Sequence, residues 1–124
     1  MGSVAVRYIV DNVDAAVEFY EQALGFTVDM RPGPGFAALS KDGLRLLLNE
    51  PGMGGAGIAG EEEPQPGGWN RIQLEVDDLS SEIERLGNLG AQFRGDTVEG
   101  RGGRQILIED PAGNPIELFE PYSR

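Results

Sequence analysis

The feature that most constrains this chain is that it carries one pattern twice. In the first half, VAVRYIV at residues 4–10 alternates Val4, Val6, Tyr8 and Val10 on one side, the period of a strand with a packed face. Asp11-Asn12-Val13-Asp14 supplies helix-start chemistry, with Asn12 or Asp14 as the cap. Ala16, Phe19, Tyr20, Ala23 and Leu24 follow at helical spacing, and Gly25 stands where a helix ends in a left-handed backbone. Strands are expected at 26–30, 36–40 and 44–48, the last two forming a hairpin around Lys41-Asp42-Gly43.

The second half repeats the order: a strand at 71–76, a helix start at Asp77-Asp78, inward-facing Ile83, Leu86 and Leu89, and a stop at Gly90. Strands near 91–94, at 105–109 and at 115–119 complete it, the last two joined through Asp110-Pro111-Ala112-Gly113-Asn114. Val10 falls on Val76, Asn12 on Asp78 and Val17 on Ile83 at one offset, 66. Gly43 falls on Gly113 and Glu50-Pro51 on Glu120-Pro121 at another, 70. Caps, stops and hairpins agree together, which predicts an α+β fold of two βαβββ modules, residues 1–51 and 69–124. Residues 52–68, rich in Gly, Pro and Glu, read as a mobile connector within a single domain of 124 residues.

Composition narrows the chemistry. With no His and no Cys, imidazole acid–base catalysis, thiolate catalysis and ordinary zinc sites are excluded. The single lysine, Lys41, sits in a hairpin turn with nothing nearby to desolvate it, so it is a poor Schiff-base candidate. A net charge of −11 argues against nucleic acid and anionic membranes as partners; it suits either a solvated surface or a cleft that attracts a cationic guest. No apolar run is long enough to span a bilayer and no export signal is visible, so a cytoplasmic address is expected.

The connector holds a literal GxGxxG, Gly55 to Gly60. The sequence Glu61-Glu62-Glu63-Pro64 behind it would put three like charges beside any phosphate and break a helix within one turn, so a nucleotide site is rejected.

The stretches DAAVEFYEQALGF (14–26) and EDPAGNPIELFEP (109–121) resemble the vicinal-oxygen-chelate superfamily, which includes glyoxalase I, extradiol dioxygenases and bleomycin-resistance proteins. The resemblance implies two βαβββ modules whose mixed sheets curl around a cavity, often in a homodimer. It also implies metal ligands near the start of the first strand and in the last strand of each module. By position these fall on Ala5, Leu47, Arg71 and Glu117. Only Glu117 is of ligand type, so neither a metal nor another cofactor is expected. Arg71 and Glu117, opposite in charge at neighbouring positions, are expected to pair.

Period-two alternation places Arg7, Arg45, Leu47, Asn49, Gln73, Glu75, Glu117 and Phe119 toward the cavity. Trp69 and Arg71 join them as candidate ligand-binding residues; Arg104 or Gln105 could reach the pocket, or Arg104 could be a solvated turn residue. The expected partner is a small-molecule ligand. The leading reading is metal-independent binding, as in proteins that sequester an antibiotic or another cationic metabolite. The alternative is a lyase, isomerase or dioxygenase relative using Glu117 or Glu75 as a base, or an atypical metal.

Overall fold

The computed structural model describes residues 4–53 and 62–123. The chain forms two compact units, Met1–Gly67 and Gly68–Arg124. Part of the expected connector, including the GxGxxG at 55–60, lies outside the described residues.

In the first unit the elements are β1 (Ala5–Ile9), α1 (Val13–Gln22), β2 (Thr27–Gly33), β3 (Phe36–Lys41) and β4 (Leu44–Asn49). The sheet order is β1-β4-β3-β2, with β1 parallel to β4 and the other pairs antiparallel. Asn12 is the helix cap: its backbone is extended and its Oδ1 accepts from Ala15 N at 3.0 Å. A second acceptor comes from the far end of the module, where Glu50 Oε2 takes the Val13 N–H at 3.0 Å. Asp42 and Gly43 both have positive φ, the geometry of a two-residue hairpin turn whose twist matches that of its strands. The helix packs on one side of the sheet, where Leu39, Leu46 and Leu48 are fully buried. Tyr20, at the centre of this core, meets Phe19 and Phe26 edge-on at 5.4 and 5.5 Å.

The second unit runs β5 (Ile72–Glu75), α2 (Leu79–Asn88), β6 (Gln92–Phe93), β7 (Val98–Glu99), β8 (Gly103–Glu109) and β9 (Pro115–Pro121). Its order, β5-β9-β8-β6, reproduces the first sheet, and the short β7 adds a fifth strand beside β8. The caps are reproduced too. Asp78 Oδ1 accepts from Ser81 N at 3.2 Å, and Glu120 Oε1 accepts from Leu79 N at 2.7 Å. The β8–β9 turn is built on the buried Asp110: its Oδ1 accepts from Ala112 N and Asn114 N, and its Oδ2 from Asn114 Nδ2. Ile72, Ile106, Ile108, Ile116 and Leu118 form the buried side.

Two expectations need correction. Leu89 does not face inward; it is 57% exposed, because it is the C-cap of α2 and the chain turns away at Gly90, whose φ is +84. Arg104 is not a turn residue: it lies inside β8, in register with Glu120, on the side of the sheet opposite Phe119 and Glu117. Among the described residues no helix is long and apolar enough to cross a membrane.

Candidate functional site

Alternation along each strand leaves one sheet face per unit away from the helix, and the candidate residues stand on these faces. In the second unit, parallel pairing sets Gln73 beside Glu117 and Glu75 beside Phe119. Glu117 is only 8% exposed, and both of its oxygens are engaged. Oε1 accepts from Arg71 Nε at 3.1 Å and forms an ion pair with Nη2 at 3.0 Å. Oε2 accepts from Gln73 Nε2 at 2.6 Å. Arg71 Nη1 then donates to Trp69 O at 3.3 Å. The expected pairing of Arg71 with Glu117 is present, and Gln73 extends it into a three-residue network. A buried carboxylate needs such donors, since an unmade hydrogen bond costs its full desolvation.

Phe119 lies against backbone. A Cβ added to Gly103 would come within 2.8 Å of Phe119 Cζ and 2.2 Å of Glu120 O, so this strand position admits only glycine. Trp69 is 66% exposed and carries the Arg94 guanidinium 4.5 Å from its ring centroid. Arg94 was not anticipated from the sequence. It pairs with Glu109 at 2.8 Å and donates to the carbonyls of Gly68 and Gly113, tying the edge strand to the entry of the unit.

In the first unit the network is smaller. Arg7 Nε donates to Asn49 Oδ1 at 2.8 Å, and Asn49, with no exposed surface, donates through Nδ2 to Met53 O at 3.1 Å. Leu47 is in register with Arg7, and Arg45 with Ala5, on the same face. The structure thus brings together Arg71, Gln73 and Glu117 in one unit and Arg7 and Asn49 in the other.

Two carboxyl groups on the helix side, Glu120 and Asp78, are clearly perturbed in pKa. The Leu79 N–H holds Glu120 below the usual carboxylate range, with Arg104 assisting. Backbone and hydroxyl bonds from Ser81 do the same for Asp78. Both are helix-capping groups rather than candidates for acid–base chemistry.

The four positions implied by the resemblance do not fit a divalent metal. Ala5 and Leu47 offer no donor, Arg71 is a cation, and the Glu117 oxygens already serve Arg71 and Gln73. Among the described residues no group of three His, Cys, Asp or Glu side chains is placed to hold a metal ion.

The family model of the glyoxalase-like domain matches residues 3–119. The chain belongs to the glyoxalase-like family. Its modules and sheet order place it in the vicinal-oxygen-chelate superfamily. An uncharacterized protein of Mycolicibacterium smegmatis is 29% identical to this glyoxalase-like chain over 119 residues, covering 92% of it and 89% of the relative. A member of the glyoxalase/bleomycin resistance protein/dioxygenase superfamily from Sphaerobacter thermophilus superimposes with a TM-score of 0.76 at 25% identity, over 97% of each chain. TnmS3, an antibiotic binding protein from Streptomyces sp. CB03234, shares the fold at a TM-score of 0.70 and 23% identity, covering 98% of this chain and 96% of that one.

Proposed function

We propose that this glyoxalase-like protein binds a small molecule without a metal and holds it rather than transforming it. The observation that carries this reading is the state of Glu117. The one ligand-type side chain at the four metal positions has both oxygens committed to Arg71 and Gln73. A metal would have to displace a guanidinium bound through two nitrogens, with no other carboxylate at those positions to help. Base chemistry at Glu117 meets the same obstacle, since a base needs an open lone pair aimed at the substrate proton. An enzymatic reading would fall back on Glu75, exposed beside Phe119.

The first unit offers a guest Arg7, Arg45, Leu47 and Asn49, and the second, by itself, offers Trp69, Arg71, Gln73, Glu117 and Phe119. A few polar groups on apolar walls is the pattern of a small-molecule site. Sequestration of an antibiotic is one use of this kind, and a homodimer belongs to the same proposal. The test is metal analysis of the purified protein, together with thermal unfolding in chelator. No stoichiometric Fe, Mn, Ni or Zn and an unchanged Tm in chelator are expected. A full equivalent of any of these metals would overturn the reading.

A further inference from the structure

Each unit sets an arginine on the outward sheet face, and the two are left in opposite states. Arg71 has every guanidinium nitrogen engaged, Nε and Nη2 on Glu117 and Nη1 on the Trp69 carbonyl. Arg7 uses Nε alone, on Asn49 Oδ1 at 2.8 Å; its Nη1 and Nη2 have no partner among the described residues. The group that holds Arg7 is itself fixed. Asn49 is fully buried and its Nδ2 is committed to the Met53 carbonyl, so the amide presents its oxygen, and only its oxygen, to Arg7. The Nε contact sets the roll of the guanidinium plane. What remains is the Nη1–Nη2 edge, whose spacing matches two oxygens of a carboxylate or phosphoryl group.

The surroundings agree in sign. On this face, β1 and β4 carry Arg7 and Arg45, and β3 carries Phe36, Ala38 and Ser40; none of the three strands contributes an acid to it. On these three strands Arg7 therefore has no acid beside it, despite the net charge of −11.

We propose that Arg7 is an oxyanion-recognition residue, and that the guest carries a carboxylate or phosphoryl group received end-on by its Nη1 and Nη2. This rests on the small-molecule reading above and names the chemical class of the ligand.

Matched aryl probes test it: benzoate, phenyl phosphate, benzamide and benzylamine, each titrated to about 10 mM, with Tm rising as a bound ligand stabilises the fold. Arginine side-chain NMR signals are followed in parallel. Benzoate or phenyl phosphate should shift the Arg7 guanidinium signals and raise Tm, and their ranking tells the two oxyanion sources apart. Benzamide and benzylamine should do neither. Arg7→Gln should weaken anion binding about 10- to 100-fold, the loss expected for charge-assisted hydrogen bonds. Arg7→Lys, which keeps the charge and loses the fork, should fall between. Arg101→Gln, removing an equal charge from an exposed turn, should bind like the parent. Silence toward both anions, a response to benzylamine alone, or equal anion binding by Arg7→Gln would each overturn the proposal. A benzylamine or benzamide response without an anion response leaves small-molecule binding standing, whereas a metal requirement removes that broader reading instead.

Discussion

Arg71 and Glu117 meet through two guanidinium nitrogens on one carboxylate oxygen, at 3.1 and 3.0 Å, leaving the other oxygen to Gln73. Arg71 stands just before β5, and Glu117 lies at the middle of the parallel β9. Removing one partner of such a pair leaves an uncompensated charge in a half-buried site, so Glu117→Ala should destabilise by about 1–3 kcal/mol in urea unfolding, below the fully buried limit because Arg71 reaches solvent. Replacing the pair together, Arg71→Leu with Glu117→Leu, should cost clearly less than the sum of the single changes. Additive losses would show that the two side chains do not act as a unit.

The helix caps predict an acid-sensitive fold. Glu120 and Asp78 have lower pKa values when folded, because the Leu79 N–H and the Ser81 donors favour their ionised forms. A carboxyl with a lowered folded pKa contributes stability that is fully present above its unfolded pKa and is lost as pH falls through the folded one. Stability should therefore hold at neutral pH and decline below about pH 4, the ordinary carboxyl range. Glu120→Gln should start from a lower Tm at pH 7 and show a shallower decline in acid. An acid limb identical to that of the parent would remove Glu120 from this role.

Gly103 should tolerate no side chain. Its added Cβ would collide with Glu120 O at 2.2 Å and Phe119 Cζ at 2.8 Å, so Gly103→Ala should cost about 1–3 kcal/mol, the usual penalty for overpacking. At Gly102 the nearest atom to such a Cβ is Phe119 Cζ at 3.8 Å, an ordinary contact, and Gly102→Ala should change stability by no more than about 0.5 kcal/mol. Chemical denaturation of the two variants side by side reads the difference.

On α2, Leu86 and Leu89 are one turn apart but differ in burial. Leu86 has no exposed surface, and Leu86→Ala should cost about 2–5 kcal/mol through the cavity it leaves. Leu89 is exposed at the C-cap, and Leu89→Gln should stay within about 0.5 kcal/mol of the parent.

The fold was legible because the two halves check each other. Asn12 and Asp78 do cap the helices, Gly25 and Gly90 do take left-handed backbones, and the strand order is the same twice. Alternation also sorted the strand faces, and the pairing of Arg71 with Glu117 could be anticipated because the resemblance sets these two opposite charges at neighbouring positions. What it could not give is where a side chain finds its second partner. The bond from Asn49 to Met53 depends on how the chain swings after β4, and the seat of Trp69 depends on Arg94, 25 positions further along. Glu50 and Glu120 did leave a signal, the repeated Glu-Pro pair. Their role stayed hidden because the helix each one caps begins 37 or 41 residues earlier in the chain. Leu89 was misplaced because helical spacing says nothing about where the last turn stops.

Those two glutamates also set an order of events. Each helix is fastened by a glutamate at the end of its own module's final strand, Glu50 just after β4 and Glu120 near the end of β9, so neither helix is secured until that residue is in place. During synthesis the first module holds the groups that cap its helix before the second has emerged from the ribosome, whereas α2 must wait for Glu120, 41 residues beyond Leu79.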